Sequence, residues 1–140
     1  MRLAMVTLIV AFGMFAIGTT HAEKEKKKMD DRVFEMRTYY AAPGKMKALH
    51  ARFRDHTLKL FEKHGITNIG YWSPTDAKEA EKKMVYILAY PSKAAADKSW
   101  DAFRKDAVWV KAKADSEKDG TLVDKVESVF LNPTDYSPLK

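Results

Sequence analysis

The stretch Phe34–Leu49, "FEMRTYYAAPGKMKAL", changes period in its middle. Up to Tyr40 it alternates: Phe34, Met36 and Thr38 point one way, and Glu35, Arg37 and Tyr39 the other. That is the period of a strand. From Met46 onward the apolar positions are Leu49, Phe53, Leu60 and Phe61, mostly three or four apart, which is the stripe of an amphipathic helix. Pro43 separates the two, because the residue before a proline is biased to extended geometry and proline itself suits the first turn of a helix. A strand over 32–40 therefore feeds a helix over 44–64, which Gly65 stops. The corner lacks the successive glycines of a phosphate cradle, although Lys45 and Lys47 leave an anion there as a lesser alternative.

Outward from this unit the pattern continues. "ITNIGYWS" (66–73) and "MVYILAY" (84–90) read as strands joined by the polar connection "PTDAKEAEKK". Ser92 caps a helix that carries Trp100 and Phe103 on one side, and Asp106 caps a further helical segment that ends at Gly120. "LVDKVESVFL" (122–131) is a fourth strand, followed by an extended tail over 132–140 with two prolines. Strand, helix, strand, strand, helix, strand is the split βαβ order, so the fold class is α+β, ferredoxin-like, with both helices on one face of an antiparallel sheet. In 84–90 both alternating rows are apolar or aromatic: Val85, Ile87 and Ala89 on one side, and Met84, Tyr86, Leu88 and Tyr90 on the other. Two apolar faces need two covers. One chain's helices supply one cover, and a second copy is expected to supply the other, giving a homodimer whose sheets face each other.

Upstream of the domain, Arg2 precedes an apolar run from Leu3 to Ile17, and the segment closes on Thr20 and Ala22. A positive start, about 15 apolar residues and a small-x-small exit read as a signal peptide over 1–22. The alternative is a retained anchor, for which a full span of about 20 apolar residues is expected. Residues 23–31, "EKEKKKMDD", read as a charged flexible leader. The chain is expected to be periplasmic or secreted after cleavage near Ala22, with no other membrane contact. Its 140 residues contain no cysteine, which removes disulfides and thiolate metal sites. The formal net charge is +6, but lysines and acids are interleaved, unlike the one-sided basic face of a nucleic-acid binder.

Taken together, "FEMRTYYAAPGKMKAL", "HGITNIGYWSP", Trp109 and "VESVFLNPTDYSPLK" resemble the NIPSNAP family over residues 33–140. The resemblance implies a dimeric α/β barrel, related in fold to the antibiotic-biosynthesis monooxygenases. It supplies no catalytic motif. The chain differs from the mitochondrial members in its single domain copy and its export signal.

The candidate ligand-lining residues are Glu35, Arg37, Tyr39, Tyr86, Tyr90, Glu127 and His64. Glu35, Arg37 and Tyr39 share one face of the first strand, and Glu127 on the neighbouring fourth strand is expected to pair with Arg37. These residues are expected on the face that the helices leave bare. They read either as a structural ion pair at a dimer interface or barrel mouth, or as the wall of a cavity for a planar or polar-aromatic molecule. His50, His56 and His64 share a helix side, but His56 and His64 lie about 12 Å apart along the axis, too far to share a metal ion. His64 is the candidate single histidine, near a barrel rim, and its plainer role is to bond the last helical carbonyls. No motif calls for a cofactor or a metal. Two functions stand: a small-molecule-binding or cofactor-independent oxygenase-like barrel, or a non-catalytic interaction or structural protein.

Overall fold

The computed structural model describes residues 32–140; the expected signal peptide and leader lie outside them. Strand β1 (Val33–Ala41) turns at Pro43 and Gly44, where Gly44 has φ +72°, and enters α1 (Met46–Arg52). The helix thus begins two residues later than the proline suggested, and Pro43 belongs to the turn. A π-helical turn (Phe53–Thr57) joins α1 to α2 (Leu58–Lys63). After Gly65, at φ +74°, come β2 (Thr67–Trp72), a single turn α3 (Ala77–Ala80) and β3 (Lys83–Tyr90). Helices α4 (Lys93–Lys105) and α5 (Ala107–Ser116) then lead to β4 (Val123–Leu131).

The sheet is antiparallel throughout, with strand order β2-β3-β1-β4, as the ferredoxin-like order requires. Its helix-covered face carries Met84, Tyr86, Leu88 and Tyr90, each no more than 1% exposed. They pack with Leu49, Phe53 and Phe61 from the first helical unit and with Trp100 and Phe103 from α4. Edge-on ring pairs join these layers, including Phe53–Tyr86 at 5.2 Å and Phe61–Trp100 at 5.3 Å.

The π turn answers a gap in the sequence pattern. After Phe53 the next apolar side chain packed on the core is Leu58, five residues on. In an uninterrupted α-helix a step of five drifts about 140° around the axis. The wider turn absorbs that drift, Leu58 N–H reaches back to the Phe53 carbonyl, and buried Thr57 donates its hydroxyl to the Arg52 carbonyl at 3.2 Å.

The opposite sheet face carries Met36, Thr38, Val85 and Ile87, all half-buried, and Val129 and Leu131, which are exposed. No helix covers it. At one end the C-terminal tail crosses back over it, leaving a groove of about 310 Å³ between Phe34, Ile87 and Leu131 of the sheet and Pro133, Ser137 and Leu139 of the tail. At the other side Trp72 folds over Gly70, where a Cβ would come within 2.6 Å of the indole.

Candidate functional site

Glu35 is a charged residue in the core, 1% exposed. Strand alternation puts it on the helix-covered face, opposite Leu88 on β3 and Phe130 on β4. Four donors converge on its two oxygens. Oε1 accepts from Arg37 Nη1 at 2.5 Å and from Ser128 Oγ at 2.6 Å. Oε2 accepts from Tyr90 Oη at 2.6 Å and from Trp100 Nε1 at 2.8 Å. The donors arrive from β1, β4, β3 and α4, so the cluster exists only in the folded chain. Burial pushes the Glu35 carboxyl up. The hydrogen bonds from Ser128 and Tyr90, the Arg37 charge and the Trp100 N–H outweigh that and hold it below its ordinary value. The Tyr90 hydroxyl shifts upward, first through burial and then through the carboxylate it donates to.

Arg37 is held on two sides. Its Nε donates to Tyr86 Oη at 3.0 Å and its Nη1 to Glu35. Its guanidinium carbon lies 4.4 Å from the Trp100 ring centre and 5.6 Å from that of Tyr39. Burial opposes its charge, but Tyr86, Tyr39 and Glu35 outweigh burial and strengthen its hold on the proton. Tyr86 is buried and shifted upward by that burial. The Arg37 side chain remains 16% exposed. The access lies on the β4 side, where Val126, Ser128 and Phe130, which share its face by register, are all exposed.

Five of the seven residues singled out from sequence thus gather in one place: Glu35, Arg37, Tyr39, Tyr86 and Tyr90. Their face is the helix-covered one, not the bare one expected. The reason is chemical: Trp100, Tyr90 and Ser128 supply enough donors to bury the carboxylate on that side. Glu127 is not part of the cluster. It pairs with Thr38, one register position from Arg37, so its side chain takes the other face, where it accepts from Tyr40 Oη at 3.0 Å and pairs with Lys125 at 2.6 Å. His64 is also elsewhere. It caps α2, but its Nε2 meets Asp106 Oδ2 at 2.8 Å instead of a helical carbonyl. Asp106 also accepts from Lys63 at 2.6 Å and from the Val108 and Trp109 N–H groups, and these bonds hold its carboxyl well below the ordinary range. Among the described residues no group of three or more His, Asp or Glu is placed to hold a metal ion.

The sequence reading left out two members, Trp100 and Ser128. The helical spacing puts Trp100 beside Phe103 on one side, and nothing local to it reveals where its N–H points. Ser128 did carry a signal, since it is the one small polar residue in the row Val126, Ser128, Phe130.

Solved structures with this fold include a NIPSNAP family protein from Agrobacterium tumefaciens, 21% identical, with a TM-score of 0.67 over 78% of this chain and 99% of that one. An uncharacterised NIPSNAP domain protein from Burkholderia xenovorans is 22% identical, with a TM-score of 0.63 over 76% and 98%. A Rhodopseudomonas palustris protein of unknown function is 17% identical, with a TM-score of 0.51 over 86% and 95%. At these identities the likeness concerns the fold. No curated protein matches. The family comparison matches NIPSNAP over residues 34–138.

Proposed function

The chain belongs to the NIPSNAP family, and from that premise we propose that it is an exported homodimer in which each subunit binds a small planar molecule bearing a carboxylate or carbonyl oxygen. The observation that carries this reading is the state of Arg37. Two of its nitrogens are engaged by Tyr86 and Glu35, its plane is flanked by Trp100 and Tyr39, and its side chain is still partly exposed. Among the described residues nothing accepts from Nη2, which leaves its N–H groups to donate to a carboxylate or carbonyl oxygen of a ligand. A buried ion pair adds little net stability compared with apolar residues of the same volume, so a fold has no need of one here. Glu35, saturated with donors and held ionised, orients Arg37 and is poorly placed to transfer a proton. The reading therefore stops at binding and assigns no reaction.

The test is calorimetric titration with benzoate and with its uncharged analogue benzamide. Saturable benzoate binding, lost in Arg37→Met with the fold retained by circular dichroism, is the expected result. No saturable heat at millimolar benzoate, and no molecule released from the native protein on mass spectrometry, would overturn it.

A second reading, a non-catalytic interaction protein, draws on the packing of the same rings. Tyr39 and Tyr86 meet edge-on at 5.2 Å and Tyr71 stacks on Tyr86 at 5.4 Å, so the cluster fills its own space. In that case Arg37→Met would leave every binding property intact, and only self-association would matter. Both readings place a second copy on the bare sheet face, because among the described residues Val85, Ile87, Val129, Leu131 and Trp72 form an apolar surface that no helix covers.

A further inference from the structure

A second groove, separate from the Arg37 cluster, lies beside α1. Between Glu35 and Asp55 the sequence contains no acidic residue, but it contains Lys45, Lys47, His50, Arg52 and Arg54. Arg52 turns inward, 4% exposed, and pairs with Glu117 at 2.9 Å. Lys47, His50 and Arg54 do not. Their spacing of three and four puts them on one stripe, and Arg54 sits in the π turn that ends α1. Facing them across a groove of about 570 Å³ are Ser73, from the loop after β2, and Glu81, just after α3. Met46 and Ala80 contribute apolar surface to the same groove. That volume falls in the usual range for small-molecule sites, about 300–1,000 Å³.

The charge pattern is unlike that of the other helices. Helix α1 contains no acidic residue, whereas every other helix among the described residues contains at least one, and in α4 and α5 three lysines are matched by acids one turn on: Lys93 by Asp97, Lys111 by Asp115 and Lys113 by Glu117. Among the described residues no ion pair uses Lys47, His50 or Arg54. One acid, Glu81, faces three basic side chains. Two unit cations and an imidazole around a part-apolar groove complement a dianion carried on an apolar body.

We propose that this groove binds a small organic phosphate, with the phosphate on Lys47, His50 and Arg54 and the apolar part against Met46 and Ala80. The proposal does not depend on Arg37 or on the carboxylate reading.

The test titrates the purified full chain with phenyl phosphate, inorganic phosphate and phenol, and separately with anionic phospholipid vesicles. Phenyl phosphate should bind saturably and more tightly than either fragment, with affinity falling as salt rises. Lys47→Gln and Arg54→Gln should each weaken it about tenfold. Arg37→Met should leave it unchanged, and amide shifts should cluster at residues 46–54, 73 and 80–81. Both glutamine variants replace exposed side chains, so an unaltered melting temperature checks the fold. Absence of saturation at millimolar phenyl phosphate, or wild-type affinity in the double variant, would overturn the proposal. So would binding to vesicles without binding to the soluble ester, which would make this face a membrane contact.

Discussion

At the scale of single residues, Glu35 and Arg37 set the chemistry of the molecule. Glu35→Gln leaves the guanidinium without its counter-charge and is expected to lower unfolding free energy by about 3 kcal/mol in urea titration at pH 7. The same carboxyl predicts a pH dependence. Its folded pKa lies below the unfolded one, so its contribution is complete above about pH 4.5 and is lost as the pH falls through the folded value. Asp106 has the same sign. The urea midpoint of the wild type should therefore fall between pH 6 and pH 3, and the Glu35→Gln variant should fall less steeply. Equal slopes would show that the Glu35 proton is not linked to folding. That Glu35, Arg37 and Tyr39 share a face was legible from alternation alone. Which face they take was not. A polar row beside an apolar one reads as the outward row, and the donors that reverse that reading come from Tyr90, Trp100 and Ser128, which lie 55, 65 and 93 positions away in the chain.

At the scale of elements, local rules wrote most of the fold. Ser92 and Asp106 cap α4 and α5 with their side chains, accepting from Ala95 N–H and from the Val108 and Trp109 N–H groups. Gly65 ends α2 in the left-handed region, and Gly65→Ala should cost about 1 kcal/mol there, read from the thermal midpoint. The neighbouring Ser99 Oγ would sit 3.8 Å from the new methyl, so backbone strain and not crowding is the cause. Asp106 does more than cap, since Lys63 and His64 tie the end of α2 to it. Asp106→Asn keeps a good capping residue and loses only the charge, whereas Asp106→Ala loses both. The alanine variant should melt lower than the asparagine variant, with lower helicity by circular dichroism. The π turn was not legible. The step of five from Phe53 to Leu58 is out of phase with an α-helix, and that alone does not say whether the helix widens or Leu58 leaves the stripe.

At the scale of the whole molecule, the two faces of the sheet have opposite fates. One packs under α1, α2 and α4 except along β4, and among the described residues the other meets only the C-terminal tail at one end. A second copy burying several large side chains of that other face would gain about 1.5–3 kcal/mol for each. Sedimentation of the native chain should give a dimer, and Val129→Lys, at a position 48% exposed in the single chain, should give a folded monomer. A monomeric wild type at micromolar concentration would remove the second copy from the proposal. For export, mass analysis of the protein recovered from the periplasm should find Glu23 at its N-terminus, while an intact Met1 form in the membrane fraction would favour a retained anchor. The indole of Trp72 gives the proposed interface an optical probe. Of the three tryptophans, Trp100 is 8% exposed and Trp72 is 51% exposed, lying over Gly70 on the uncovered face. Emission from a half-hydrated indole is red-shifted relative to a dry one. Dilution through the dissociation constant should therefore move the fluorescence maximum to longer wavelength in the native chain, and Trp72→Phe should abolish the movement. In this way the smallest residue of β2, by letting the largest one lie flat on the sheet, makes association readable as colour.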